Sequence, residues 1–161
     1  MPEGVINNMV QICVVVRNRD EAMRHYGSVF GIKDYTTYEV DSDDVPGITD
    51  RGKPARNYGV RVAMARLAGA VLELIQPVHG HSMYQEFLDQ HGEGIHHVGL
   101  MVDDYKKALA NFQRNGFEPT VDGPIVGAQR SGRFTYLDTQ EKLGATFELL
   151  DFPEEMLASW R

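Results

Sequence analysis

The stretch Gly69-Ala-Val-Leu-Glu73-Leu-Ile75 returns later in the chain as Gly144-Ala-Thr-Phe-Glu148-Leu-Leu150. Each copy sets one glutamate in the middle of an apolar run of strand character. A carboxylate is costly to bury without a partner. The same costly residue, twice in the same context, points to two equivalent positions around a shared site. It also points to an internal duplication, and the patterns flanking each copy extend it.

Val10 to Val16 (VQICVVV) is β-branched and apolar, as a buried strand is. Asp20 to Phe30 carries Ala22, Met23, Tyr26, Val29 and Phe30 at helical spacing and stops at Gly31. Strands follow at Tyr35 to Val40, Gly59 to Leu67 and Ala70 to Ile75. Residues 41–58 are polar and carry Pro, Gly and Asp, so they read as a long loop, a candidate lid over a substrate. Pro77 to Gly80 breaks the pattern, and Ser82 can cap a connector helix over Met83 to Gln90. The order then restarts. His97 to Val102 is a strand, and Asp104 to Asn115 is a helix with Tyr105, Ala108, Leu109 and Phe112 inward, closed by Gly116. Strands follow near Phe117 to Val121, Arg133 to Asp138 and Ala145 to Leu150. With Gln11 set on His97, Val16 falls on Val102, Ala22 on Ala108 and Tyr26 on Phe112. The expected fold class is α+β, a single domain of two tandem βαβββ modules over 9–76 and 95–151. A connector, 77–94, joins them and a tail, 152–161, follows.

Composition narrows the chemistry. The single cysteine, Cys13, rules out an internal disulfide and fits a reducing compartment. No apolar run approaches the ~20 residues of a membrane span, and the expected address is the cytoplasm. A net charge of −7 argues against nucleic acid as a general partner, since that needs a basic face. The expected partner is a small molecule. Arg51, Lys53, Arg56, Arg61 and Arg66 form one basic stretch, and Arg130 and Arg133 a second. They serve either solubility or the holding of a substrate carboxylate or phosphate. The glycine-rich segment Gly123 to Gly132 lacks the spacing of a phosphate loop but can fold over a ligand. No Gly-x-Ser-x-Gly elbow occurs, and Cys13 sits inside a strand, which argues against acyl-enzyme chemistry.

The metal-site argument rests on four residues. Gln11 and His97 occupy matching positions in the first strand of each module. If a pseudo-twofold relates the modules, Gln11, Glu73, His97 and Glu148 converge. Such an oxygen-rich set with one imidazole nitrogen suits Mn, Fe, Co, Ni or Mg and is less typical of a structural zinc site. A cation would also neutralise carboxylates that otherwise repel each other or take up a proton. Gln11 serves either as a ligand or as a hydrogen-bonding residue, and the sequence leaves both open. His96 must face away from His97 if both lie in one strand, as a structural or supporting residue. His79 and His81 sit in a turn and read as surface residues, as do His25 and His91 on helices.

Three segments carry a resemblance: Gly92-Glu-Gly-Ile-His-His97-Val, Asp122-Gly-Pro-Ile-Val-Gly-Ala128 and Phe147-Glu148-Leu. With the duplication, they make the chain resemble the vicinal oxygen chelate superfamily from about Met9 to Asp151, most of all its methylmalonyl-CoA epimerase-like members. The resemblance implies a cup-shaped mixed sheet around one divalent metal (Mn, Co, Ni, Fe or Zn), with Glu73, His97 and Glu148 on ligand positions. Gln11 stands where the family usually has histidine. Val62 stands where epimerases of this kind carry a proton-transferring glutamate, and valine accepts no proton. Tyr58, Arg61, Tyr136 and Glu148 are the candidates to take over, with Glu148, Tyr136 and Arg61 the expected catalytic set. The implied activity is that of a metal-dependent isomerase, epimerase or lyase acting by enolate stabilisation. A ring-cleaving dioxygenase and a non-catalytic small-molecule-binding protein are the alternatives. A homodimer is the family's habit and is expected here.

Overall fold

The computed structural model describes residues 6, 8–125 and 132–153. They form two compact units. One comprises Gln11–Pro46 and Arg56–His97. The other comprises the described residues of Met1–Val10, Gly47–Ala55 and Val98–Arg161. Val126 to Ala128 of the second resembling segment, Arg130, and the end of the 152–161 tail lie outside the described residues.

The first unit holds β1 (Asn8–Val15) from Gln11 onward, α1 (Arg19–Phe30), β2 (Thr36–Asp41), β5 (Gly59–Arg66), β6 (Val71–His79) and α2 (Met83–His91). Its strands lie in the order β2-β5-β6-β1, with β1 parallel to β6 and the other neighbours antiparallel. The second unit holds the end of β7 (Gly94–Met101), α3 (Tyr105–Arg114), β8 (Pro119–Pro124), β9 (Arg133–Leu137), the short helix α4 (Gln140–Leu143) and β10 (Thr146–Asp151). Its order, β8-β9-β10-β7, repeats that of the first unit strand for strand. The duplication read from two glutamate strands is therefore present in the sheet topology.

Local chemistry repeats with it. Asn18 caps α1 by accepting from the Glu21 amide at 3.0 Å, and Asp104 caps α3 by accepting from the Lys107 amide at 2.9 Å. Each cap satisfies an amide that the helix itself leaves unpaired. Strand alternation then divides the apolar residues between two faces. Val16, Ala63, Leu72 and Leu74 face α1, joined by Ala22, Met23 and Tyr26. Leu100, Val102, Leu137 and Leu149 form the matching layer with Ala108 of α3. Leu74 and Leu149, each directly after its glutamate, are both fully buried, and each contributes roughly 1.5–3 kcal/mol of apolar burial. The glutamates consequently face the other side of the sheet.

Four sequence expectations need correction. Residues 41–58 are not one long loop. They contain β3 (Thr49–Asp50) and β4 (Lys53–Pro54), a small hairpin whose β3 pairs antiparallel with β8. Thr49 Oγ1 donates to Asp122 Oδ1 at 3.2 Å and the Arg51 amide donates to the Thr120 carbonyl at 2.6 Å. Ile48, buried at the hairpin's start, lies where a Cβ on Gly123 would stand 3.0 Å from it and from Phe134, so a larger residue there would press on both side chains. Two-residue strands carry no readable period, and their partner lies some seventy residues away. Second, Pro77 does not end its strand. β6 runs on to His79, because its pairing with β1 stops at Ile75 and Pro77 lies opposite the irregular Gly59/Val60 step of β5. Third, Val29 and Phe30 do not face the core. They are 72% and 69% exposed, on the last turn of α1. Fourth, β7 begins at Gly94, so neither Gln11 nor His97 opens its strand. Each is the fourth residue of one, which preserves their equivalence. No helix among the described residues is long and apolar enough to cross a membrane.

Candidate metal centre

The face of the first unit opposite α1 gathers the polar residues. Glu73 stands between Cys13 of β1 and Met64 of β5, each its partner in register. Gln11, two residues before Cys13, shares that face by strand alternation, and so does Val62, opposite Ile75. His97, from the start of β7, is completely buried against them. Gln11 Nε2 donates to Glu73 Oε2 at 3.0 Å and lies 3.2 Å from His97 Nε2. His97 Nε2 is 3.4 Å from Glu73 Oε2. Gln11 and Glu73 are each 5% exposed, so the carboxylate sits in a low-dielectric setting.

These contacts set the imidazole tautomer. Gln11 Nε2 carries only donors, so in a direct hydrogen bond between the two His97 Nε2 is the acceptor. The proton of His97 is then on Nδ1, which lies 2.9 Å from Nδ1 of His96. His96 must accept there, through an unprotonated Nδ1. Burial, with help from neighbouring His97, pushes the His96 pKa down to about 3, which keeps that ring neutral. Tyr84 and Phe87 enclose it, with ring centroids 5.2 and 5.1 Å away. His97 Nε2 thus stands beside the Glu73 carboxylate, where a neutral imidazole could ligate a metal.

An amide, a carboxylate and an imidazole are donor types that a cation can use. Turning the Gln11 amide over would set its oxygen about 3.0 Å from Glu73 Oε2, two acceptors face to face. A positive ion between them makes that arrangement favourable. In this structure the amide nitrogen faces Glu73. Cys13 Sγ, a Glu73 carboxylate oxygen and a His97 ring nitrogen all lie within 4.8 Å of one another. The cysteine was not singled out by sequence reasoning, although its place two residues after Gln11 in a strand puts it on the same face. It is fully buried, and burial first, then the Glu73 charge, drives its pKa up to about 12 despite the opposing effect of His97.

The second unit places the remaining expected residues. Glu148 is 4% exposed, and its register partner on β9 is Tyr136, 3% exposed, so the carboxylate and the phenol share the face opposite α3. Arg61, expected with them, is elsewhere. It lies opposite Gln76 in register, on the reverse face from Glu73, and is tied to Glu39 at 2.9 Å near the surface. Alternation decides this, since Arg61 is one residue from Val62. Arg51 pairs with Asp50 at 3.1 Å and Arg133 with Asp122 at 2.9 Å, both partly exposed, so these basic residues have surface partners. His79 pairs with Asp41 and His81 with Glu86, both at the surface as expected.

A family model described as the glyoxalase/bleomycin resistance protein/dioxygenase superfamily matches residues 10–136. The chain belongs to this superfamily. Solved structures agree on the fold. Methylmalonyl-CoA epimerase from Mycobacterium tuberculosis superposes with a TM-score of 0.71 at 19% identity, covering 98% of this chain and 96% of that one. A variant of the Streptomyces coelicolor methylmalonyl-CoA epimerase, in complex with 2-nitronate-propionyl-CoA, has a TM-score of 0.68 at 22% identity, covering 90% and 96%. A hypothetical protein from Bacillus halodurans C-125 has a TM-score of 0.65 at 21% identity, covering 91% and 95%. A search of curated protein sequences finds no match. The fold is thus glyoxalase-like, α+β, with βαβββ repeats.

Proposed function

We propose that this superfamily member is a metal-dependent isomerase or epimerase acting on a small carboxylate or acyl-CoA-type substrate. The observation that carries the reading is the buried convergence of Gln11, Glu73 and His97, whose Nε2 lies 3.4 Å from Glu73 Oε2. Glu73 and His97 would hold a divalent ion. Gln11, through its oxygen, and Glu148, through its place in the repeat, complete the donor set expected from the sequence. When bound, such an ion acts as a Lewis acid on two substrate oxygens and favours loss of a proton from the adjacent carbon. The chain's own groups do the rest. Val62 and Ile75, buried on the face that carries Glu73, would keep water from the carboxylate. Tyr136, beside Glu148, supplies a phenol that can hold or return a proton. A lyase using the same groups belongs to the same reading, and so does a homodimer, which sedimentation would test.

The test combines metal analysis with solvent exchange. Protein purified without chelators is expected to carry about one divalent ion per chain at a two-ligand core. It is also expected to wash deuterium from D2O into the carbon beside the thioester of methylmalonyl-CoA. A metal-free protein that binds an acyl-CoA tightly without exchange would sink the enzyme reading. It would favour a binding protein instead, which the valine at position 62 supports. Ring cleavage of a catechol normally uses two histidines and one carboxylate on Fe(II) or Mn(II). Gln11 replaces one of those histidines, and oxygen uptake with catechols would mark that alternative.

A further inference from the structure

The thiol of Cys13 has no part in the donor set so far. A buried free cysteine usually behaves as a small apolar residue among apolar neighbours. Cys13 does not fit that description. It is fully buried, yet its register partner across the parallel β1–β6 pair is the carboxylate of Glu73, and His97 lies on its other flank. The three ligand-type atoms lie within 4.8 Å of one another. Donors around one tetrahedral ion, with bonds of about 2.0–2.3 Å, stand roughly 3–4 Å apart. The existing spread is therefore within a small side-chain adjustment of a bound geometry. Cysteine makes that adjustment about a single side-chain torsion. Gln11, as oriented, turns its nitrogen inward and engages it with Glu73.

We propose that Cys13 is itself a metal ligand, so that this centre is a mixed sulfur, nitrogen and oxygen site that prefers a thiophilic divalent ion such as Zn(II) or Co(II) over Mn(II) or Mg(II). The inference rests on the metal reading above and adds a donor that changes which ion is held. Sulfur ligation replaces the S–H bond with an S–metal bond, and the thiol proton passes to solvent. Soft thiolate donors select zinc-like ions, whereas carboxylate and carbonyl donors suit magnesium and manganese. The sulfur then takes the place given above to the Gln11 oxygen, and Gln11 becomes a positioning residue that keeps its amide hydrogen on Glu73.

Titration of the metal-free full-length protein with Co(II) reads the ligand directly, with no dependence on turnover. The wild type is expected to show intense near-ultraviolet sulfur-to-cobalt charge transfer beside the weaker visible ligand-field bands. Cys13→Ser and Cys13→Ala are each expected to lose the charge transfer and keep visible bands. Their Zn(II) affinity is expected to fall at least about tenfold, the low end for even an outer-shell partner, with Mn(II) affinity little changed. Wild-type protein that binds Co(II) with ligand-field bands alone overturns the sulfur ligand and leaves the metal reading standing. Wild-type protein that binds no Co(II) overturns both. The wild-type spectrum decides the question even if a variant folds poorly.

Discussion

Glu73 and Glu148 occupy the same position in two copies of one unit, and their surroundings have diverged. Each precedes a fully buried leucine, Leu74 or Leu149, and each points away from the helix that covers its repeat. The register partner of Glu73 on the neighbouring antiparallel strand is Met64, while that of Glu148 is Tyr136. Around Glu73 stand Gln11, Cys13 and His97. Duplication has thus preserved what the backbone needs, which is alternation, register and the helix caps. The side chains that meet the carboxylates were free to specialise. One glutamate collects metal-type donors, and the other is set beside a phenol. His97 belongs to the second repeat by sequence and to the first unit by contact, so the donor set does not follow the repeat boundary.

Substitutions can break this contrast. The largest effect is expected at the donor cluster. His97→Ala leaves a cavity and strands the Gln11 amide, and should cost about 3 kcal/mol in denaturant unfolding of the metal-free protein. Glu73→Gln removes a buried charge at constant shape, and should leave metal-free stability at or above wild type while abolishing metal uptake. Equal loss of stability in both variants would mean that Glu73 and His97 act as a structural pair. Next comes the neighbour of each glutamate. Tyr136→Phe should lower deuterium exchange by roughly 100-fold with metal content unchanged, the range for a lost general acid–base group. Met64→Leu, at the matching position, should leave exchange unchanged. If the two variants behave alike, the specialisation drawn between the repeats is wrong.

The pH dependence of stability tests the support of His97. The folded-state pKa of His96 is lowered from 6.5 to about 3. Between those values the unfolded chain binds a proton that the folded chain refuses. Stability from this group is therefore present above pH 6.5 and is lost as the pH falls toward 3. The loss should approach about 1.4 kcal/mol per pH unit. His96→Asn should flatten that slope, and an unchanged profile would remove the buried neutral histidine from the account. The smallest effect is expected where the helices differ. Phe30→Ser, on the exposed end of α1, should change stability by no more than about 0.5 kcal/mol. Phe112→Ala in α3, whose ring meets Phe117 at 6.1 Å, should cost about 2 kcal/mol or more.

Much of the fold was legible because its signals are local. The cap at Ser82, the stop of the first helix at Gly31, and the spacing of Gln11 to Ala22 against His97 to Ala108 are all read within a dozen residues. The β3–β4 hairpin was not legible, because its reason for being extended is β8, distant in the chain. Arg61 was misplaced for want of a register. Its neighbour Val62 faces the same side as Glu73, and one residue along a strand reverses the face.

The amino-acid sequence by itself determined the duplication, the two buried glutamates and the family, because each is written in local pattern and residue identity. Only the tertiary structure decided that Cys13 stands beside Glu73, that Gln11 turns its nitrogen inward toward Glu73, and that Gln11 meets His97. The contacts of Gln11 with Glu73 and His97 join residues 62 and 86 positions apart. At such separations, strand order and register choose the partners, and neither is encoded in any short window of the chain.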